Sequence, residues 1–117
     1  MVKSNYYRGA LIPYIGKNIN LSGNITGFRP GCGFYQGMYC IKPVFMNGKF
    51  LTHHIWFPNT SIVQEFAIQN FNGRIPDATK VIINGFVDEY QSVKKSENIG
   101  IKFVDGIYLA ERKNNGT

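Results

Sequence analysis

The chain has 117 residues, of which 44% are hydrophobic, 15% aromatic and 17% charged, enough for one domain around one core and too apolar for a disordered segment. Thirteen Lys and Arg against seven Asp and Glu give a formal net charge of +6, and because the first acid is Glu65, residues 1–64 hold six bases and no acids. That asymmetry predicts one electropositive face suited to a polyanion or an acidic protein surface, while the lack of any run near the roughly 18–20 apolar residues of a membrane span predicts a soluble, cytoplasmic protein without membrane contact.

The dominant period along the chain is two, the signature of strands. After Met1 to Tyr14, which lack the basic-then-apolar pattern of a signal peptide, Ile19, Leu21, Gly23 and Ile25 alternate with Asn20, Ser22, Asn24 and Thr26. This predicts a first strand over about Lys17 to Phe28 with one buried face. Arg29 to Gly37 (RPGCGFYQG) interrupts it. Met38 to Met46 reads as a second strand, with Tyr39, Ile41 and Phe45 on one face and Cys40, Lys42 and Val44 on the other. Asn47-Gly48 is a two-residue hairpin signal. It leads into a third strand, Lys49 to Phe57, in which Leu51, His53, Ile55 and Phe57 oppose Phe50, Thr52, His54 and Trp56.

Pro58 ends that strand, and Gln64 stands three residues after Ser61 in the capping-box position. A helix is predicted over about Ser61 to Asn70, packing Ile62, Val63, Phe66 and Ala67 onto the sheet, with Asn72-Gly73 as its stop. Lys80 to Tyr90 is the fourth strand, with Val81, Ile83, Gly85 and Val87 on one face, and Ile99 to Val104 begins the fifth, before an Asp105-Gly106 turn. Gln91 to Asn98 (QSVKKSEN) is the polar, basic loop between them. The domain reading is an N-terminal extension over 1–16, a barrel over 17–110 and a flexible tail over 111–117.

Three strands, a helix and two strands, with interior glycines Gly23 and Gly27 where a small barrel bends its first strand, resemble the oligonucleotide/oligosaccharide-binding (OB) fold. The predicted fold is therefore mainly β, a small five-stranded OB-like barrel with one short helix between the third and fourth strands. The segments His53-His54-Ile55-Trp56-Phe57 and Val81 to Tyr90 are also similar to small uncharacterised OB-like proteins of phages and mobile elements of Gram-positive bacteria. His53 stands where those proteins carry Asp, and Asp77-Ala78 stands near their Gly-Asp. An SH3-like barrel is the structural competitor, but it does not normally carry a ten-residue helix before its fourth strand.

The OB resemblance implies a ligand face on the second and third strands, flanked by the loops Arg29 to Gly37 and Gln91 to Asn98. The first loop offers Arg29, Phe34 and Tyr35, and the second offers Lys94 and Lys95. Between them Tyr39, Lys42, His54 and Trp56 are the candidates on the sheet. Rings interleaved with cations suit single strands, because bases stack on aromatic faces while lysines and arginines meet phosphates. The opposite expectation for Trp56, Phe57, Phe45 and Phe50 is burial in the core.

Other chemistry lacks a pattern in the sequence. No Gly-Lys-Ser/Thr follows the glycines at 27, 31, 33 and 37, so a phosphate-cradling loop is not expected. Cys32 and Cys40 do not have the spacing of a structural zinc pair, are expected as reduced thiols, and His53 and His54 in one strand should point to opposite faces. Asp88 and Glu89 are neighbours on opposite faces rather than a catalytic pair. The expectation is a non-enzymatic module without cofactor or metal that binds single-stranded DNA or RNA. The alternative is a protein-interaction module of a phage or mobile element, an inhibitor or adaptor of a host defence or replication complex. A homodimer through exposed strand edges is compatible with either.

Overall fold

The computed structural model describes residues 8–30, 37–91 and 97–110. A 3-10 helix, Arg8–Tyr14, leads into β1 (Asn18–Arg29), β2 (Met38–Ile41), β3 (Val44–Met46), β4 (Lys49–Thr52) and β5 (Ile55–Pro58). Helix α1 (Ser61–Asn70) follows, and then β6 (Lys80–Gln91) and β7 (Glu97–Leu109). All strand pairs are antiparallel. No helix among the described residues is long and apolar enough to cross a membrane.

Strand β1 organises the sheet because its two halves take different partners. Asn18 to Asn24 pair with Phe86 to Lys80 of β6, and Ser22 also pairs with Phe45 of β3. Beyond a register shift between Ile25 and Gly27, Gly27 to Arg29 pair with Cys40 to Met38 of β2. The bend requires Gly23: a Cβ there would lie 2.5 Å from the Pro43 carbonyl oxygen and 3.2 Å from the Ile41 Cβ. The ladder runs β4–β3–β1–β2–β5, with β6 on β1 and β7 on β6. Among the described residues β5 and β7 pack together without a ladder, so the seven-stranded sheet is not closed.

This corrects the expectation of five strands in a closed barrel with the helix after the third. The predicted second strand is divided at Lys42-Pro43, where proline has no N–H to give a ladder, and the third is divided at His53-His54. The helix therefore follows the fifth strand. Each division inserts two residues and reverses the alternation. Val44 and Thr52 are buried, whereas Phe45 is half-buried and Phe50 is 62% exposed; Phe50 and Thr52, predicted on one face, are separated by a register shift that leaves Leu51 unpaired between them. The Asn47-Gly48 hairpin forms as expected, with φ of 55° and 79°. Asp105-Gly106 is not a turn but lies within β7, at a register shift that leaves Asp105 unpaired between Val104 and Gly106.

One face of every long strand enters the core. Leu21, Ile25, Tyr39, Ile41, Ile55, Phe57, Val81, Ile83, Val87 and Ile101 are buried together, and α1 adds Val63, Phe66 and Ala67 from the side of β7. Ile62 is exposed rather than packed, and the helix cap is Thr60, with Gln64 turned back to donate to the Asn59 carbonyl at 2.8 Å instead of forming a capping box. Leu11, from the segment read as an extension, is also in the core, with Tyr14 and Ile15 packed against it. Cys40 is buried and not in a disulfide; Cys32 lies outside the described residues, as does the tail from 111.

Candidate functional site

The paired residues of β1, β2 and β5 form rows whose side chains share a face. One row is Phe28, Tyr39 and Phe57; the adjacent rows are Gly27, Cys40 and Trp56, and Arg29, Met38 and Pro58. The first of these enters the core. Tyr39 is 1% exposed, its ring lies 4.6 Å from Phe28 and 5.7 Å from Phe57, and its hydroxyl accepts the Ile75 N–H at 3.1 Å. Tyr39 is thus a core residue, which corrects its assignment to the ligand face.

The other rows lie on the opposite, outward side, where Cys40 and Pro58 are buried, and bring Arg29 and Trp56 together. The Arg29 guanidinium carbon sits 5.2 Å from the centroid of the Trp56 ring, within the range of a cation–π contact. Gly27 contributes no side chain to this face, and Trp56 is only half-buried while Arg29 is exposed. Stacking uses the plane of a guanidinium and leaves its N–H fork to reach an anion. Among the described residues the one ion pair is Lys102 to Asp88 at 3.5 Å, so Arg29 has no carboxylate partner there.

Arg74, which no periodic pattern singles out because it follows α1 in a loop, occupies the equivalent position on the opposite face. Its guanidinium carbon is 4.6 Å from the Phe28 ring centroid. Gly37 makes this end of the sheet possible: it has φ +108°, and a Cβ would lie 2.6 Å from the Phe28 ring and 2.8 Å from the Arg29 carbonyl oxygen. Arg29 and Arg74 therefore flank the same end of β1, on its two sides.

The remaining predicted residues divide. Lys42 is exposed at the bend between β2 and β3; its N–H donates to the Asn24 carbonyl at 3.0 Å, and it lines an open groove of 480 Å³ with Asn24, Thr26 and Asp77. His54 is half-buried, and its Nδ1 is 3.0 Å from the Nδ1 of His53. The two rings thus converge, against the expectation of opposite faces, because the chain leaves the ladder between Thr52 and Ile55. Phe34, Tyr35, Lys94 and Lys95 lie outside the described residues. Among the described residues no three His, Cys, Asp or Glu side chains are gathered as a metal site.

A second outward face carries rings that the alternation assigns to the core or leaves unremarked. Phe50 pairs with Phe45, Phe45 with Ser22, Ser22 with Ile82 and Ile82 with Tyr108, which makes one row across β4, β3, β1, β6 and β7. The next row is Asn20, Asn84 and Gly106, and beyond it Phe86 and Phe103 pair with ring centroids 6.1 Å apart. The reversal of alternation at Pro43 places Phe45 here, and the register shift that leaves Leu51 unpaired places Phe50 beside it. Comparison of the sequence with protein-family models and with curated proteins gives no match.

Proposed function

We propose that the chain is a non-enzymatic, OB-like module that binds single-stranded nucleic acid. The fold reading takes β2 with β3 as one interrupted strand and β4 with β5 as another, so that α1 separates the third from the fourth unit. It is supported by β1, which pairs with β2 through one half and with β6 through the other, as a strand shared by both sides of a small barrel does.

The observation that carries the function is the Arg29–Trp56 stack on the outward face of β1, β2 and β5. A guanidinium plane and an indole ring both accept an unpaired base, and the N–H edges of the same arginine reach its phosphate. The excess of positive charge in residues 1–64 favours the same partner. A duplex keeps its bases stacked on one another and presents no free base face. Single strands are therefore the preferred ligand.

Trp56 is the one tryptophan in the chain, so its fluorescence reports this site alone. Titration with oligo(dT) should quench that emission, and Arg29→Ala should weaken the binding and flatten its salt dependence by about 0.7 in slope, the effect on a single strand of leaving one phosphate without its cation. Emission unchanged by saturating oligonucleotide would exclude Trp56 from the interface. An Arg29→Ala variant with wild-type affinity and slope would do the same for Arg29.

A further inference from the structure

The row from Phe50 to Tyr108 is organised as a platform rather than as a leftover apolar surface. Phe50 is 62% and Tyr108 56% exposed, and Phe45 and Ile82 between them are half-buried. The Phe45 and Phe50 rings meet edge to face, with centroids 6.2 Å apart. Tyr108 reaches over Gly106: its hydroxyl and two ring carbons come within 2.6–3.2 Å of the point where Gly106 would carry a Cβ. The missing side chain at Gly106 leaves room for the end of this ring, which stays 56% exposed.

Two flanking rows give this platform polarity. On one side Asn20 pairs with Asn84, placing carboxamides, each able to donate and accept, beside the rings. On the other side Asn24 pairs with Lys80 and accepts the N–H of Lys42, so that two exposed lysines stand on either side of Asn24 in β1. Asn24 is two residues from Ser22 along the strand, a rise of roughly 7 Å, comparable to the reach from a base to its own phosphate. Asp77 also lines the groove beside Lys42, and Asp88, farther along the outward side of β6, is paired with Lys102.

We propose that this face is a second stacking platform for the same single strand, with unpaired bases on Phe50, Phe45 and Tyr108 and phosphates on Lys42 and Lys80; the proposal rests on the single-strand reading above. The complementarity decides the occupant. A row of uncharged rings beside amides, bordered by lysines, matches the base, base-edge and phosphate layers of a nucleic acid strand. The core of a protein interface is depleted of lysine, whereas Lys42 and Lys80 border these rings.

The test compares the full-length wild type with a Phe50→Ala/Tyr108→Ala double variant, with Gly106→Ala, which pushes the Tyr108 ring off the sheet without removing it, and with Trp56→Ala. Labelled oligo(dT) of about four and about sixteen nucleotides is titrated by anisotropy, since single-strand sites span roughly that range. The double variant should bind the longer strand more weakly by about fivefold or more for each ring removed, and the short strand, held at Arg29–Trp56, nearly as the wild type does. Gly106→Ala should weaken the longer strand alone. Equal affinity of wild type, double variant and Gly106→Ala for the longer strand, with Trp56→Ala impaired, would overturn the second platform and leave the first reading standing. Loss of a wild-type dimer in the double variant, seen by sedimentation with binding unchanged, would assign the face to a second copy and overturn the proposal. If the wild type binds neither strand, the single-strand reading itself fails and this proposal falls with it.

Discussion

Replacing Tyr39 by Phe removes one oxygen atom from the core and nothing else of its shape. The Phe28 and Phe57 rings at 4.6 and 5.7 Å keep their neighbour, but the Ile75 N–H, which donates to that oxygen at 3.1 Å, loses its acceptor. Both residues are 1% exposed, so water does not replace the missing bond. An unpaired buried N–H costs about 1–3 kcal/mol. For a domain near this size each kcal/mol lowers Tm by about 4 °C, which predicts a fall of about 4–12 °C. Thermal melting by circular dichroism measures it, and urea unfolding should show a lower midpoint with an unchanged m-value. Oligonucleotide affinity well below Tm should not change. A variant that melts within about 1 °C of wild type and binds more weakly would refute the reasoning and return Tyr39 to the ligand face.

Three further outcomes follow from the same structure. Gly23→Ala places a methyl group 2.5 Å from the Pro43 carbonyl oxygen, where backbone must move, and should cost about 1–3 kcal/mol in chemical denaturation; wild-type stability would show that the bend is not tight there. Thr60 caps α1 without a side-chain hydrogen bond and its Oγ1 is buried without a partner, so Thr60→Val should be neutral or stabilising by up to about 1 kcal/mol, and a destabilisation of that size in the same assay would reveal a bonded hydroxyl. Lys94→Ala with Lys95→Ala, in the basic segment between β6 and β7, should lower the salt dependence of oligonucleotide binding by about 0.7 in slope for each phosphate no longer neutralised, measured by anisotropy; an unchanged slope would remove that segment from the interface.

How much of this was legible in the chain depended on whether the period of two ran unbroken. It does in β1 as far as Ile25, where Leu21, Gly23 and Ile25 face inward, and in β6, where Val81, Ile83, Gly85 and Val87 do, and both strands lie within a residue of their predicted bounds. The bounds of α1 and the Asn47-Gly48 hairpin were equally readable, because stop and turn residues act locally, although the cap is Thr60 and not Ser61. The alternation failed where two residues left the ladder. Ile41 and Val44 are both buried with Lys42-Pro43 between them, and Thr52 and Ile55 with the two histidines between them, so a continuous alternation puts Phe45 inside and Thr52 outside.

The candidate site shows the same division. Arg29 and Trp56 both read as surface candidates, but only the register from Gly27 through Cys40 to Trp56 brings them together. Tyr39 reads wrongly because alternation separates two faces without saying which is wet; the decisive neighbours, Phe28, Phe57 and Ile75, are distant in sequence. Arg74 gives no periodic signal at all, since it lies in the loop after α1 and reaches Phe28 only through the tertiary fold. Tyr108 gives no strand signal because Asp105-Gly106 before it reads as a turn and is instead a register shift within β7.

The most direct test of the central claim is fluorescence anisotropy of the purified protein with labelled single-stranded DNA, single-stranded RNA and duplex of matched length, at two salt concentrations. The account predicts that a single strand binds more tightly than duplex and that log K falls with log salt by roughly 0.7 for each phosphate neutralised. No binding to any of the three at low salt, or equal binding of single strand and duplex, would contradict it.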